Sequence, residues 1–298
     1  MKVLSFGSLN IDYTYRVDHF VQKGETVASD SLQVFSGGKG LNQSIALAKA
    51  GAEVYHAGAI GEDGKFLLAV MEEAGVDTSC VKILDDVRTG NAIIQNDKEG
   101  DNCILLYGGA NQAITKAQID AVLFRFDAGD CLVLQNEINE LPYLMNKAYE
   151  KGMKIVLNPS PMNEKIFAMP LHLVDYFILN EVEAEQILQW KTNSEEDMDM
   201  LAAALAAKFP NATVVLTIGS AGSIFANGDK QFRQSSFRVK AVDTTAAGDT
   251  FSGFFIAGIL NGLSEEAAME RASKAAAIAV TRPGAAPSIP TQDEVDRF

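Results

Sequence analysis

Cysteine, histidine and positive charge are all scarce in this chain, and each scarcity closes a route to function. Cys80, Cys103 and Cys131 are odd in number and widely spaced. They form neither a CxxC redox pair nor a zinc ligand set, and are read as buried, inert thiols. His19, His56 and His172 stand singly, and a lone histidine is more often structural than catalytic. Lysine and arginine total 25 against 39 acidic residues, a formal net charge of −14. A nucleic acid or an anionic membrane needs a concentrated basic face, so neither is an expected partner and small-molecule chemistry is. No stretch approaches the roughly twenty apolar residues of a membrane span. The opening MKVLSFGSLNIDY reaches Asp12 before any signal-like apolar run, which points to the cytosol. The P-loop, the GxGxxG fingerprint, HExxH and GxSxG are missing too. If the chain handles phosphate, it uses another device.

What is present is a well-balanced globular composition: 298 residues, 47% hydrophobic and 21% charged. Short β-branched runs such as KVLSFGS, EVYHAGAI, CLVLQNE, KIVLNPS, YFILN and TVVLTIG alternate with helical segments such as GLNQSIALAKAGA and DMLAAALAAKF. That rhythm predicts one α/β domain over 1–298 with a mostly parallel sheet between helix layers. Two stretches, about 12–36 and 88–109, read as strands and turns without helices, and are expected to form a small separate sheet placed as a lid. SEEAAMERASKAAAIAV, 264–280, has glutamate early and Lys274 late, as a long packed helix does.

The sharpest local feature is VDTTAAGDTFSGFFIAGILNG, 242–262. A turn of small residues runs into an amphipathic helix expected to begin near Asp249, where free N–H groups and the helix dipole favour an anion. Asp249, in that first turn, is either a helix cap or a base beside a reacting phosphate. FSGGKGLNQ, 35–43, suits backbone approach to a polar ligand, although alone it reads equally as a strand-to-helix turn with a solvated Lys39. Asn10 and Asp12 leave the first strand on the same face, at the carboxyl edge where open α/β sheets bind ligands. Asn180 and Glu183 in NEVE open a helix after YFILN, where a capping box is the simpler reading. TIGSAG, 217–222, fits a nucleotide contact or an ordinary bend.

Taken in order, GSLNID, SGGKGLNQ, GGANQAIT, LQNE, NPSP, NEVEAE, TIGSAG, DTTAAGDTFSG and TRPGAAPS resemble the stations of the ribokinase-like (PfkB) carbohydrate kinase family along essentially the whole chain. The resemblance implies an ATP-dependent sugar kinase with Asp249 as base and the N–H groups of Ala246, Ala247 and Gly248 as an anion hole. It places Asn10, Asp12, Gly38, Lys39, Asn42 and Glu137 on the sugar hydroxyls, a set that favours a pentose such as D-ribose. It assigns Asn180 and Glu183 to magnesium and the ATP phosphates, and Thr217, Gly219, Ser220 and Gly222 to the nucleotide turn. Ser273 stands near adenine, where the family often has a larger side chain. A monovalent cation, potassium, falls among the carbonyls of Asp243, Thr245, Ala279, Arg282, Gly284 and Ser288, with Pro283 inside that loop. The resemblance further implies a homodimer through the lid. The alternatives are a kinase of the same fold for another pentose, a hexose or a nucleoside, and a sugar-sensing protein that has lost phosphoryl transfer.

Overall fold

Val3–Phe6 (β1) is buried at every position, the pattern of a central parallel strand covered on both faces. In the computed structural model, which describes every residue except 100, 193, 195 and 196, this strand starts a chain of alternating elements. After it come β2 (Asn10–Arg16), β3 (Ser31–Gly37), α1 (Lys39–Lys49), β4 (Val54–Gly61), α2 (Lys65–Glu73), β5 (Asp77–Leu84), β6 (Gly90–Asn96), β7 (Asn102–Tyr107) and α3 (Lys116–Leu123). The second half holds β8 (Cys131–Gln135), α4 (Leu141–Glu150), β9 (Lys154–Asn158), β10 (Tyr176–Asn180), α5 (Glu181–Leu188), α6 (Asp197–Lys208) and β11 (Thr213–Thr217). It ends with β12 (Ser223–Asn227), β13 (Lys230–Gln234), α7 (Ala247–Leu260), α8 (Glu265–Ala279) and α9 (Gln292–Asp296).

Among the described residues nine strands form the main sheet, in the order β13-β12-β11-β10-β9-β8-β1-β4-β5. The pairs from β11 through β5 are parallel, and β12 joins β11 antiparallel. Alternation along each strand sorts the core into two layers. Leu132 and Leu134 of β8 belong to the cluster that holds Ile119, Leu144, Ile187 and Leu201 from α3 to α6. Cys131 and Val133 belong to the opposite cluster, with Leu41, Leu67, Phe254 and Met269 from α1, α2, α7 and α8. The three-layer α/β/α arrangement expected from the rhythm is therefore what forms.

The two helix-free stretches make a separate four-stranded sheet, ordered β3-β2-β6-β7. β2 and β6 run parallel at its centre, flanked antiparallel by β3 and β7. Position 100, inside the second expected lid stretch, lies outside the described residues.

The helix expected to be amphipathic from Asp249 onward differs. α7 starts two residues earlier, at Ala247, and every residue from Asp249 to Gly258 is buried. It is not a surface helix, because α1 and α8 cover the faces that the sheet leaves open, and a helix enclosed all round is apolar all round. Phe251, Phe254 and Phe255 anchor it, each burial contributing on the order of 2 kcal/mol. This anchoring fixes where the helix's first turn sits.

Candidate active site

Parallel strands converge their carboxyl ends on one edge of a sheet, and that edge is where the polar ends of β8, β9, β10 and β11 meet the N-terminus of α7. A cavity of about 250 Å³ lies there, walled by Lys39, Asn158, Asn180, Glu183, Thr217 and Asp249 among others. Ala246 turns the chain into α7 with φ 59°, a left-handed conformation that costs an alanine about 1 kcal/mol. The result is an opening toward the cavity. The N–H groups of Ala246, Gly248 and Asp249 have no protein acceptor among the described residues, and a Cβ built on Gly248 would meet nothing within 4 Å. One member of the expected anion hole departs from this pattern: the Ala247 N–H donates to the Thr244 carbonyl at 3.3 Å, because the tight turn folds that carbonyl back beneath it.

Asp249 is buried in the first turn of α7. Gln43 Nε2 donates to its Oδ1 at 2.9 Å and Asn42 Nδ2 to its Oδ2 at 3.3 Å, both from α1. Gln135, at the end of β8, donates in turn to Gln43 Oε1 at 2.7 Å. The carboxylate is held by side chains and does not cap its own helix, so the capping interpretation fails on geometry.

On one side of Asp249 lies a group of charged side chains. Lys39, at the start of α1, lines the cavity rather than standing in solvent as the lone motif suggested. Burial works against its charge, but the carboxylates of Asp249, Glu137 and Glu183 outweigh that and hold its ammonium above the ordinary lysine range. Glu137 accepts from the Ser8 hydroxyl and from the Lys39 N–H at 2.9 Å. Its own carboxyl is pushed up by burial, against the pull of those two donors and of the Lys39 ammonium. Asp12 on β2 is raised to about 6, by burial first and by the Glu137 charge second. Gly38 has φ 95°, and its missing Cβ would lie 3.0 Å from the Ser8 carbonyl oxygen, so any side chain there is strained. Asn10 is buried and accepts from Asn111 Nδ2 at 2.8 Å, which ties the start of β2 to the turn that follows β7.

The other side combines the residues of the later strands. Asn180 and Glu183 do form a reciprocal capping box on α5, at 2.9 and 3.0 Å, and the same box fixes both residues in the cavity wall. Burial raises the Glu183 carboxyl. Thr217 lines the cavity, whereas Gly219, Ser220 and Gly222 form the turn just beyond it and Ser273 is buried on α8, away from the lining. Asp243 clamps two loops together: Oδ1 accepts from the Thr245 N–H and hydroxyl, and Oδ2 from the Gly284 N–H at 2.9 Å. The Ala279 carbonyl accepts from the Arg282 N–H at 3.0 Å. The Arg282 side chain turns away to Glu294, and the Ser288 hydroxyl donates to the Ala285 carbonyl. Among the described residues no group of three or more His, Cys, Asp or Glu side chains is placed to hold a metal.

Five residues of this region went unassigned in the sequence: Ser8, Gln43, Asn111, Gln135 and Asn158. Each touches a partner from a distant part of the chain, as with Gln135 and Gln43 or Asn111 and Asn10. Asn158 donates to the Ile178 carbonyl at 2.7 Å, and its buried Oδ1 has no partner. An orphaned acceptor in a cavity wall is uncommon enough to mark a ligand position.

A carboxylate fixed beside open helix N–H groups, with an ammonium on one side and an Asn–Glu pair on the other, is the layout of a small-molecule phosphotransferase of the α/β class. Residues 1–292 match the pfkB family carbohydrate kinases, and the chain belongs to that family. It is 35% identical to the ribokinase of Haemophilus influenzae over 98% of this chain and 96% of that one. The ribokinase of Cryptococcus neoformans var. grubii in complex with ADP superposes with a TM-score of 0.88 at 31% identity, covering 99% of both chains. Arabidopsis thaliana ribokinase complexed with ribose and ATP gives 0.87 at 28% identity, over 99% of this chain and 97% of that one.

Proposed function

We propose that this enzyme transfers the γ-phosphoryl group of ATP to the primary hydroxyl of D-ribose, releasing ADP and D-ribose 5-phosphate. The observation that carries the reading is the fixed Asp249 carboxylate beside the unpaired N–H groups of Gly248 and its neighbours. The sugar lies against Asp12, Lys39, Asn42 and Glu137, with Asn10 and Gly38 shaping the floor. Asp249 takes the hydroxyl proton as the oxygen attacks the γ-phosphorus and the bond to the ADP oxygen breaks. Charge spreading over the phosphoryl oxygens meets the helix N-terminus and the open N–H groups of Ala246, Gly248 and Asp249.

ATP occupies the side of Asn180, Glu183, Thr217, Gly219, Ser220 and Gly222, with adenine toward Ser273. Magnesium fits beside Glu183, Asn180 and the orphaned Asn158 Oδ1, and would supply neutralisation of phosphate charge. A potassium ion suits the carbonyls of Asp243, Thr245, Ala279, Arg282, Gly284 and Ser288, since the Asp243 clamp draws both loops together beneath the anion hole. We place the enzyme in the cytosol as a homodimer. Three free thiols fit a reducing compartment, with Cys80 and Cys131 buried as expected but Cys103 exposed, because it lies on the outer lid strand β7. No helix among the described residues is long and apolar enough to cross a membrane. The outer lid strand β7 exposes Ile104, Leu105, Leu106 and Tyr107, an apolar edge that a second copy would cover.

ADP release with D-ribose, 2-deoxyribose, fructose and nucleosides, with and without potassium, tests the reading. D-ribose is expected to give the highest kcat/KM and potassium to stimulate. A different preferred acceptor would displace the sugar, and normal turnover by Asp249→Asn would remove the base.

A further inference from the structure

The buried amides around Asp249 do more than fill space. An ionised aspartate can only accept hydrogen bonds, so Gln43 must present its Nε2 to Oδ1, which leaves Gln43 Oε1 facing Gln135. Gln135 must then present its own Nε2, as it does at 2.7 Å. The polarity of all three groups is thus set as one unit. Gln43 and Gln135 are buried and stand off the cavity lining, so water does not compete for the bond between them.

The unit is also built at a cost. Gln135 Oε1 is buried without a partner, and it fits only because position 7 is glycine: a Cβ there would collide with it. A buried, half-satisfied amide is a poor choice for stability alone, where an apolar residue of the same volume serves as well or better. The two carboxylate oxygens are held unequally. Gln43 grips Oδ1 at 2.9 Å, while Asn42 reaches Oδ2 only at 3.3 Å and leaves its own Oδ1 unpartnered.

We propose that Gln135 and Gln43 form an amide relay that positions Asp249, tethering Oδ1 so that Oδ2 is the oxygen that receives the hydroxyl proton. Neither glutamine touches substrate; both are positioning residues. This rests on the general-base reading of Asp249. The relay fixes the rotation of the carboxylate, and Oδ2 exchanges its weak Asn42 contact for the incoming hydroxyl.

Gln43→Met, Gln135→Met and the double variant test it, each volume-conserving, with kcat, sugar KM and melting temperature measured on the full chain. Gln43→Met is expected to lower kcat by about 10- to 100-fold, the scale of losing orientation at a reacting group, with sugar KM within about 3-fold of wild type. Gln135→Met gives a smaller fall. In the double variant no glutamine amide is left stranded, so its melting temperature rises above that of Gln43→Met, while Asp249 Oδ1 still lacks its donor and kcat stays as low as in Gln43→Met. A merely structural pair would show kcat recovering with stability, and that result overturns the relay, as does full kcat in Gln43→Met. If Asp249→Asn retains turnover, the base itself is wrong and the relay falls with it. If Asp249→Asn is inactive while Gln43→Met is unimpaired, only the relay fails.

Discussion

Replacing Gly253 by alanine tests whether the packing of two helices sets the chemistry. Gly253 stands four residues after Asp249 on α7, one turn along the same face. It meets α1 at Ala46, three residues beyond Gln43. A Cβ at position 253 would sit 2.8 Å from the Ala46 carbonyl carbon and from the Leu47 nitrogen, and closer still to the Ala46 methyl. Carbon contacts settle at about 3.5–4 Å, so α7 must retreat from α1 by roughly 1 Å. The Gln43–Asp249 hydrogen bond starts at 2.9 Å, and a retreat of that size takes it to roughly 4 Å, beyond hydrogen-bonding range. Overpacking should lower stability by about 1–3 kcal/mol, and misplacing a reacting group by about 1 Å should reduce kcat about 100-fold. Coupled ADP release gives kcat, and a thermal melt gives the stability loss. Gly258→Ala is the control, because its Cβ would press on Ala268 at 3.2 Å and Leu263 at 3.3 Å, not on α1. It should destabilise and leave kcat near wild type. A folded Gly253→Ala enzyme with wild-type kcat, or one no slower than Gly258→Ala, would refute the link between helix contact and catalysis.

Two further outcomes concern the sugar side. Gly37→Ala places a methyl on the Asp12 carboxylate; because that side chain can swing aside, stability should change little while sugar KM rises about tenfold or more, and an unchanged KM would remove Asp12 from the sugar. Asp12 itself, raised to about 6 by burial and by Glu137, holds its proton more tightly folded than unfolded. Its contribution to stability is therefore present in acid and lost as pH climbs from about 4 through 6. Sugar hydroxyls donate to the ionised form, so sugar kcat/KM should rise through pH 6. Asp12→Asn should abolish that limb, and its persistence in the variant would assign it elsewhere.

The order of elements and the separate small sheet were legible because alternation of burial and the absence of helical period are local properties. The place of Asp249 in the first turn of a helix was legible because a small-residue turn before an apolar run marks a helix N-terminus; the role of base came from the family resemblance. The relay was not. Gln43 and Gln135 lie 92 residues apart, and Gln43 and Asp249 lie 206 apart. Each glutamine looks like an ordinary polar residue until the fold brings it to its partner. The misread amphipathicity of α7 has the same origin, since AGDTFSGFFIAGIL carries small residues where α1 and α8 approach and gives no local sign that both faces are covered. For Asn180 and Glu183 the capping box read from the sequence forms, and the same box holds both residues in the cavity wall.

The Lys39 ammonium faces the carboxylates of Asp249, Glu137 and Glu183, and Glu137 in turn faces Asp12. Without ligand these carboxylates repel one another in a poorly solvated space, so the unliganded protein is the more fragile form. A molecule that brings hydroxyl donors or a counter-cation into the cavity raises the free energy of unfolding with the logarithm of its concentration once that exceeds Kd, so the gain continues after the cavity is full. Where unfolded chains are degraded, a ligand-stabilised protein is expected to accumulate as the supply of that molecule rises.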